Sequence, residues 1–259
     1  MSWQSVGAVL VGIFVGFLGG LFGKGGSAVA TPLLSLIGFP GFVSVAAPLP
    51  ATVPGTLIAS FEYWHSNLLD WDVFWWSVAV GVPAATLGGL LSKVTGAGPL
   101  LIITALLVAG FGVSFLLRPS TARGAVMDTE LFEGDARPSH WKLRLAGVAA
   151  GVGVISGLLA NSGGFLMAPS YSMFLRQPIK KAFACSLAVS SVLAIPGTIV
   201  HAYLGHVSWH VAGLIALGSV PSSYAGARLA LRTRSAKLER LYGLMLTALG
   251  IFFLLYGEW

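Results

Sequence analysis

The chain states one pattern twice. Pro40, Pro83, Gly88 and Gly112 recur 138 residues later as Pro178, Pro221, Gly226 and Gly250, and Trp71 recurs as Trp209. Around the glycine clusters the offset slips by one. Gly25-Gly26 falls on Gly163-Gly164 at 138, whereas Pro32 falls on Pro169 at 137. The chain therefore reads as two copies of roughly 110 residues, about 6–117 and 144–255, joined by a linker. Soluble solenoids repeat in units of about 20–50 residues. A duplication this long in an apolar chain is what membrane transporters show.

Apolarity places both copies in a bilayer. Hydrophobic residues make up 56% of the chain and charged ones 9%, against about 25% charge in soluble domains. The stretches 74–92, 99–117, 182–200 and 241–257 are almost free of charge, and each is long enough to span a ~30 Å hydrocarbon core. No charged n-region precedes Lys24, so no signal peptide is expected. The lone Cys185 forms no internal disulfide.

Each copy divides into five apolar pieces: 5–22, 27–38, 43–61, 72–91 and 99–117, then 144–160, 164–175, 182–200, 210–229 and 239–256. The second piece of each copy has about 12 residues, too few to cross as a straight helix at ~1.5 Å per residue. It is either a half-helix completed by irregular backbone or one arm of a hairpin that leaves on the side it entered. Basic residues gather at 118–144, 176–181 and 228–240, while the matching stretches of copy one hold only Lys93. Cytoplasmic ends attract Lys and Arg. The expectation is an all-α polytopic membrane protein built of two inverted-topology repeats, 1–117 and 144–259, with broken or re-entrant helices. The linker 118–143 lies inside, and both termini lie outside.

The glycine clusters carry the chemistry. Gly12, Gly16, Gly20 and Gly147 present small residues for close helix packing. Gly25-Gly26 and Gly163-Gly164 instead stand where the chain turns between two apolar pieces. A helix starting there offers unpaired N–H donors and a positive dipole end to an anion. Ser27, Asn161 and Ser162 can cap those helices or meet the ligand. Gly23-Lys24-Gly25 is no phosphate loop, because Leu18 and Gly25 occupy positions that need glycine and Ser/Thr. Lys24 is either a surface anchor or a cation that draws an anion to the turn.

The third pieces repeat polar and helix-breaking residues. Pro48, Pro50 and Pro54 are expected to bar a regular helix, and copy two is expected to break at Pro196-Gly197. Thr52, Ser186, Ser190 and Ser191 either bind oxyanion oxygens or bond back to carbonyls. His201, His206 and His210 surround an outer loop, but a zinc site needs further ligands that the sequence does not place there. No metal and no cofactor is expected. Trp64, Trp71, Trp75, Trp76, Trp141 and Trp209 cluster at segment ends, as belt residues do.

At Gly16–Gly26 with Pro32, and at Ile155–Gly164 with Pro169, the sequence resembles the TauE/SafE sulfite exporter family, and Ala184-Cys185-Ser186-Leu187 resembles its second-half hydroxyl segment. The resemblance covers essentially the whole chain. It implies a secondary transporter, not an enzyme, that exports small sulfur-containing anions such as sulfite or organosulfonates across the plasma membrane. An anion-selective channel, or a permease for another small organic anion, is the alternative. Lys24 interrupts a glycine run that is often fuller in the family, and Ala47-Pro48-Leu49 stands in place of a hydroxyl-bearing stretch. The substrate would be held by Lys24, Gly25, Gly26, Ser27, Thr52, Asn161, Ser162, Gly163, Gly164, Ser186, Ser190 and Ser191. The expected partners are a small anion, a coupling proton or cation, and lipid; nucleic acid is not among them.

Overall fold

The computed structural model describes residues 3–24, 26–91, 97–117, 140–159 and 161–256. The apolar pieces become helices. Copy one holds α1 (Trp3–Phe22), α2 (Ser27–Leu36), α3 (Gly41–Ala46), α4 (Pro48–His65), α5 (Trp71–Leu91) and α6 (Ala97–Leu117). Copy two holds α7 (Trp141–Leu158), α8 (Gly164–Phe174), α9 (Ile179–Tyr203), α10 (Trp209–Arg232) and α11 (Ser235–Tyr256). Among the described residues, six helical stretches are long and apolar enough to cross a membrane, counting Gly41–His65 as one.

α2 and α8 are the short pieces, and each doubles back. Gly26 sits beside Val15, and Ile37 packs against Gly7, so α2 descends along α1. Gly163 lies against Val152 and Ser156 in the equivalent hairpin of copy two. Of the two readings open for the short pieces, the hairpin is the one adopted.

Small residues decide which helices meet. Gly12, Gly16 and Gly20 of α1 face the backbone of Ile215, Ser219 and Ser223 on α10, and Gly226 of α10 faces the Phe17 carbonyl. The same contact recurs with the copies exchanged. Gly153 and Gly157 of α7 face Gly81 and Ala85 on α5, and Gly88 of α5 faces the Val154 carbonyl. Each first helix thus packs on the fourth piece of the other copy. Any Cβ at these glycines would overlap a carbonyl or a neighbouring backbone atom, which is why backbone approaches backbone here. Gly147 differs from the expectation of packing: nothing lies within 4 Å of a Cβ built on it, because it faces away from α5.

The same contacts give helix directions. Rising residue numbers match rising numbers between α1 and α10, and between α5 and α7. α4 runs with α10, since Gly55 lies beside Ser219 and Ser223 while Glu62 pairs with Arg228 at 3.1 Å. α9 runs against α4: Leu49 meets Gly197 at one end, and Cys185 Sγ donates to the Asp70 carbonyl at the other, 3.8 Å. α6 and α11 are antiparallel, Gly112 facing Thr247 and Gly250 facing Ala109. The third pieces, α4 and α9, thus run in opposite directions, as do the fifth, α6 and α11. Every described Asp, Glu, Lys and Arg apart from Lys24 falls at one end of the bundle, the end from which α6 leaves and α7 enters.

The prolines require a correction. α4 is helical through Pro48, Pro50 and Pro54, and α9 is helical through Pro196-Gly197. Pro48 and Pro50 lie in the first turn, where the missing N–H has no helical partner to lose. Pro54 and Pro196 each remove one bond, to the Pro50 and Val192 carbonyls, and membrane helices absorb such single losses. The interruption in the third piece of copy one falls earlier, at Ala47 between α3 and α4. The largest apolar cluster surrounds α8 and α9, where Phe165, Leu166, Met167, Tyr171, Phe183 and Tyr242 are buried.

Candidate functional site

The two hairpin tips meet at mid-bundle. Ser162 donates its backbone N–H to Ser27 Oγ at 3.1 Å, and the two Oγ atoms stand 3.3 Å apart. Ser27 is the first residue of α2, and Ser162 lies two residues before α8. Two helix N-termini therefore converge on one buried hydroxyl pair. Gly163 adopts φ +70° to make its turn, and its N–H donates to Asn161 Oδ1 at 2.7 Å. Gly23 makes the other turn at φ +65°, and the Lys24 N–H donates to the Gly19 carbonyl at 3.1 Å. Both are left-handed positions that glycine occupies without strain.

Lys24 is not at the surface. It is 1% exposed, and among the described residues no acidic side chain pairs with it. It lines a small cavity of about 20 Å³ with Gly16, Gly19, Gly26, Thr52, Ser219 and Ser223. That is room for about one water-sized group, so a larger anion requires the walls to part. A second cavity of about 60 Å³ lies across the tips in copy two, lined by Thr86, Gly89, Ser156, Asn161, Pro196 and His201 among others. The cavities correspond under the repeat, but the tips match at an offset of 137 and not the 138 read from the glycine pairs. The turn bonds from Lys24 N–H to the Gly19 carbonyl and from Asn161 N–H to the Ser156 carbonyl pair Gly19 with Ser156, Lys24 with Asn161 and Gly26 with Gly163. Ser223 matches Ala85 at 138. Only the first contains an ammonium.

Lys24, Gly26 and Thr52 line one cavity, Asn161 lines the other, and Ser27 and Ser162 join the tips. The remaining hydroxyls divide. Thr52 Oγ1 donates back to the Pro48 carbonyl at 2.8 Å, and Ser191 Oγ to the Ala188 carbonyl at 2.7 Å. Ser186 Oγ donates to the Gly164 carbonyl at 2.9 Å, tying α9 to the second tip. Ser190 Oγ is buried with no partner among the described residues. Gly25 lies outside the described residues.

The sequence reading missed α10. Ser219 and Ser223 stand one turn apart on the cavity side, and Ser223 Oγ donates to the Gly16 carbonyl at 3.0 Å. Their i, i+4 spacing was the available signal, but copy one has Gly81 and Ala85 at the matching places.

Duplicated hairpins with buried polar tips, set among helices long enough to span a bilayer, define a multi-pass membrane protein of the transporter class. The chain belongs to the family described as "Sulfite exporter TauE/SafE", whose pattern it matches over residues 8–253. The family is one of transporters rather than enzymes. A "Probable membrane transporter protein" of Xylella fastidiosa (strain Temecula1) is 29% identical over 96% of this chain and 94% of its own length. YjnA of Bacillus subtilis is 25% identical over 91% of this chain and 94% of its own length, and MJ0441 of Methanocaldococcus jannaschii is 26% identical over 95% and 94%. No solved structure matches the chain.

Proposed function

We propose that the chain is a secondary transporter that exports small sulfur-containing anions, sulfite or organosulfonates, across the plasma membrane. The observation that carries this reading is the meeting of the two hairpin tips at Ser27 and Ser162, beside the buried ammonium of Lys24. Opposed helix N-termini supply donors and positive dipole ends at one point, and Lys24 supplies the charge. Gly25 and Gly26 shape the first tip, and Asn161, Ser162, Gly163 and Gly164 shape the second. Thr52, Ser186, Ser190 and Ser191 surround them from α4 and α9, with Ser219 and Ser223 added from α10.

The repeats, 1–117 and 144–259, take inverted topology in the membrane. Opposite running of equivalent helices supports this, as does the gathering of basic residues at one end. That end, with the linker 118–143, is cytoplasmic, and the termini are outside. Access alternates as α1–α4 with α10 rock against α7–α9 with α5 about the α4–α9 contact, because each first helix is held backbone to backbone on the fourth helix of the other copy.

The test is efflux of radiolabelled sulfite and sulfoacetate from proteoliposomes. Saturable flux above that of protein-free vesicles is expected for at least one of the two. Flux indistinguishable from empty vesicles for both anions would refute the reading.

A further inference from the structure

At the bundle end opposite the charged residues, the described ionisable groups include three histidines. Two are joined: His201 Nδ1 and His206 Nδ1 lie 3.3 Å apart, and the His206 N–H donates to the His201 carbonyl at 3.0 Å. His201 also walls the second cavity, with Asn161 and Ser156 deeper in. Ser156 Oγ is buried there with no partner among the described residues. The outer imidazole crosses between the copies: His206 stacks on Phe42 of α3, ring centroids 4.7 Å apart and planes at 21°. One proton-binding pair thus connects a cavity wall of copy two to a helix of copy one.

We infer that the His201–His206 pair is a proton-binding site that opens the second cavity toward the terminal side, and so couples external protons to transport. The inference rests on the transport reading above for its purpose, but not for its chemistry. A hydrogen bond between two Nδ1 atoms needs one donor and one acceptor, so the pair holds a single Nδ1 proton. The first added proton goes to the free Nε2 of the donor ring and leaves that bond intact. Once both rings are imidazolium, donor faces donor and cation faces cation, and the contact must separate. Imidazoles change charge in the range where cellular compartments differ.

Among the described residues, no acidic side chain at this end of the bundle offsets that second charge. α3, the first half of α4, the N-terminal turn of α1 and the cavity stretch of α5 carry no charged residue, and the first turn of α10 holds His210. Separation pulls His206 away from Phe42. It also frees α9 at Gly197, where that helix rests on Leu49. The movement would expose Asn161 and the second hairpin tip to the outer solution.

The test needs no substrate. Spin labels at Gly41→Cys on α3, with open space around its Cβ, and at Tyr203→Cys on α9, 93% exposed, are placed on a Cys185→Ser background in lipid nanodiscs. Distances are measured by pulsed electron resonance at pH 8.0 and 5.5. A longer-distance population is expected at pH 5.5 and not at pH 8.0. It is expected to vanish in His206→Gln and in His201→Gln, and to persist in His210→Gln. Identical distributions at both pH values would overturn the proposal. So would a response that survives both glutamine variants, or one lost in His210→Gln alone. A pH response with no sulfite or sulfoacetate flux would leave the proton site standing and strike only the transport reading.

Discussion

Replacing Lys24 with methionine should move stability and anion binding in opposite directions. The side chain is 1% exposed, and among the described residues no acidic group pairs with it. Lys24→Met keeps the length of the side chain and removes the ammonium. Burying an unpaired ammonium is unfavourable by about 2.5–3.5 kcal/mol on insertion scales at a helix centre. Part of that is regained when an apolar side chain of similar shape takes its place, so the ligand-free variant should be more stable, by about 1 kcal/mol. Binding should suffer. A monoanion 4 Å from the ammonium gains about 4 kcal/mol at an effective dielectric near 20. Stripping water from both ions takes back roughly half, which leaves about 2 kcal/mol, or about a thirtyfold weaker Kd in the variant. The assay is thermal unfolding in detergent across a sulfite titration. Wild type should gain about 2.7 kcal/mol at a hundredfold excess over Kd. Lys24→Met should start higher and gain little at the same concentration. A variant that binds sulfite with unchanged Kd would refute the role of the ammonium. One that is less stable than wild type without ligand would show that Lys24 has a stabilising partner.

Sidedness is tested with single cysteines on a Cys185→Ser background: an impermeant thiol reagent applied to intact cells should label Ser208→Cys and spare Ser235→Cys, and the reverse would invert the topology. Gly163→Ala should destabilise by about 2 kcal/mol, since a Cβ there is held at φ +70° and meets Ser156 Oγ; Gly151→Ala, with open space at its Cβ, should be neutral within ~0.5 kcal/mol in the same unfolding assay.

Much of the architecture was legible because it was written twice. The recurrence of Pro40, Pro83 and Gly88 at 138 residues located the pieces, and their helices fall within a few residues of those limits. The shortness of the second pieces and the paired glycines marked the turns whose tips meet at Ser27 and Ser162. The prolines misled because a proline's effect depends on its place in a turn, which is fixed only once the helix start is known. Pairing of α1 with α10 rather than with a helix of its own copy was not readable either. Gly12, Gly16 and Gly20 announce a close backbone approach without naming the partner, since a smooth glycine face accepts any small-residue face. Ser219 and Ser223 were invisible for a related reason: a search for matched features passes over residues whose counterparts are Gly81 and Ala85.

That mismatch leads to a last prediction. The two copies exchange their backbone contacts almost perfectly but not their polar side chains. Lys24 stands opposite Asn161, and the hydroxyls of Ser219 and Ser223 stand opposite positions that offer none. If the anion site is symmetric about the meeting tips, exchanging the two residues as Lys24→Asn with Asn161→Lys should restore the affinity that Lys24→Asn alone loses. The geometry argues against restoration. In the second cavity a lysine would find no equivalents of Ser219 and Ser223. Its arrival also removes the Asn161 Oδ1 acceptor that holds the Gly163 N–H, a loss of about 1 kcal/mol from the second tip. The double variant should therefore bind sulfite no better than Lys24→Asn, read as the ligand-dependent rise in Tm. Recovery to within about threefold of the wild-type Kd would show that the site belongs equally to both copies, and the assignment of the charge-bearing cavity to copy one would fall.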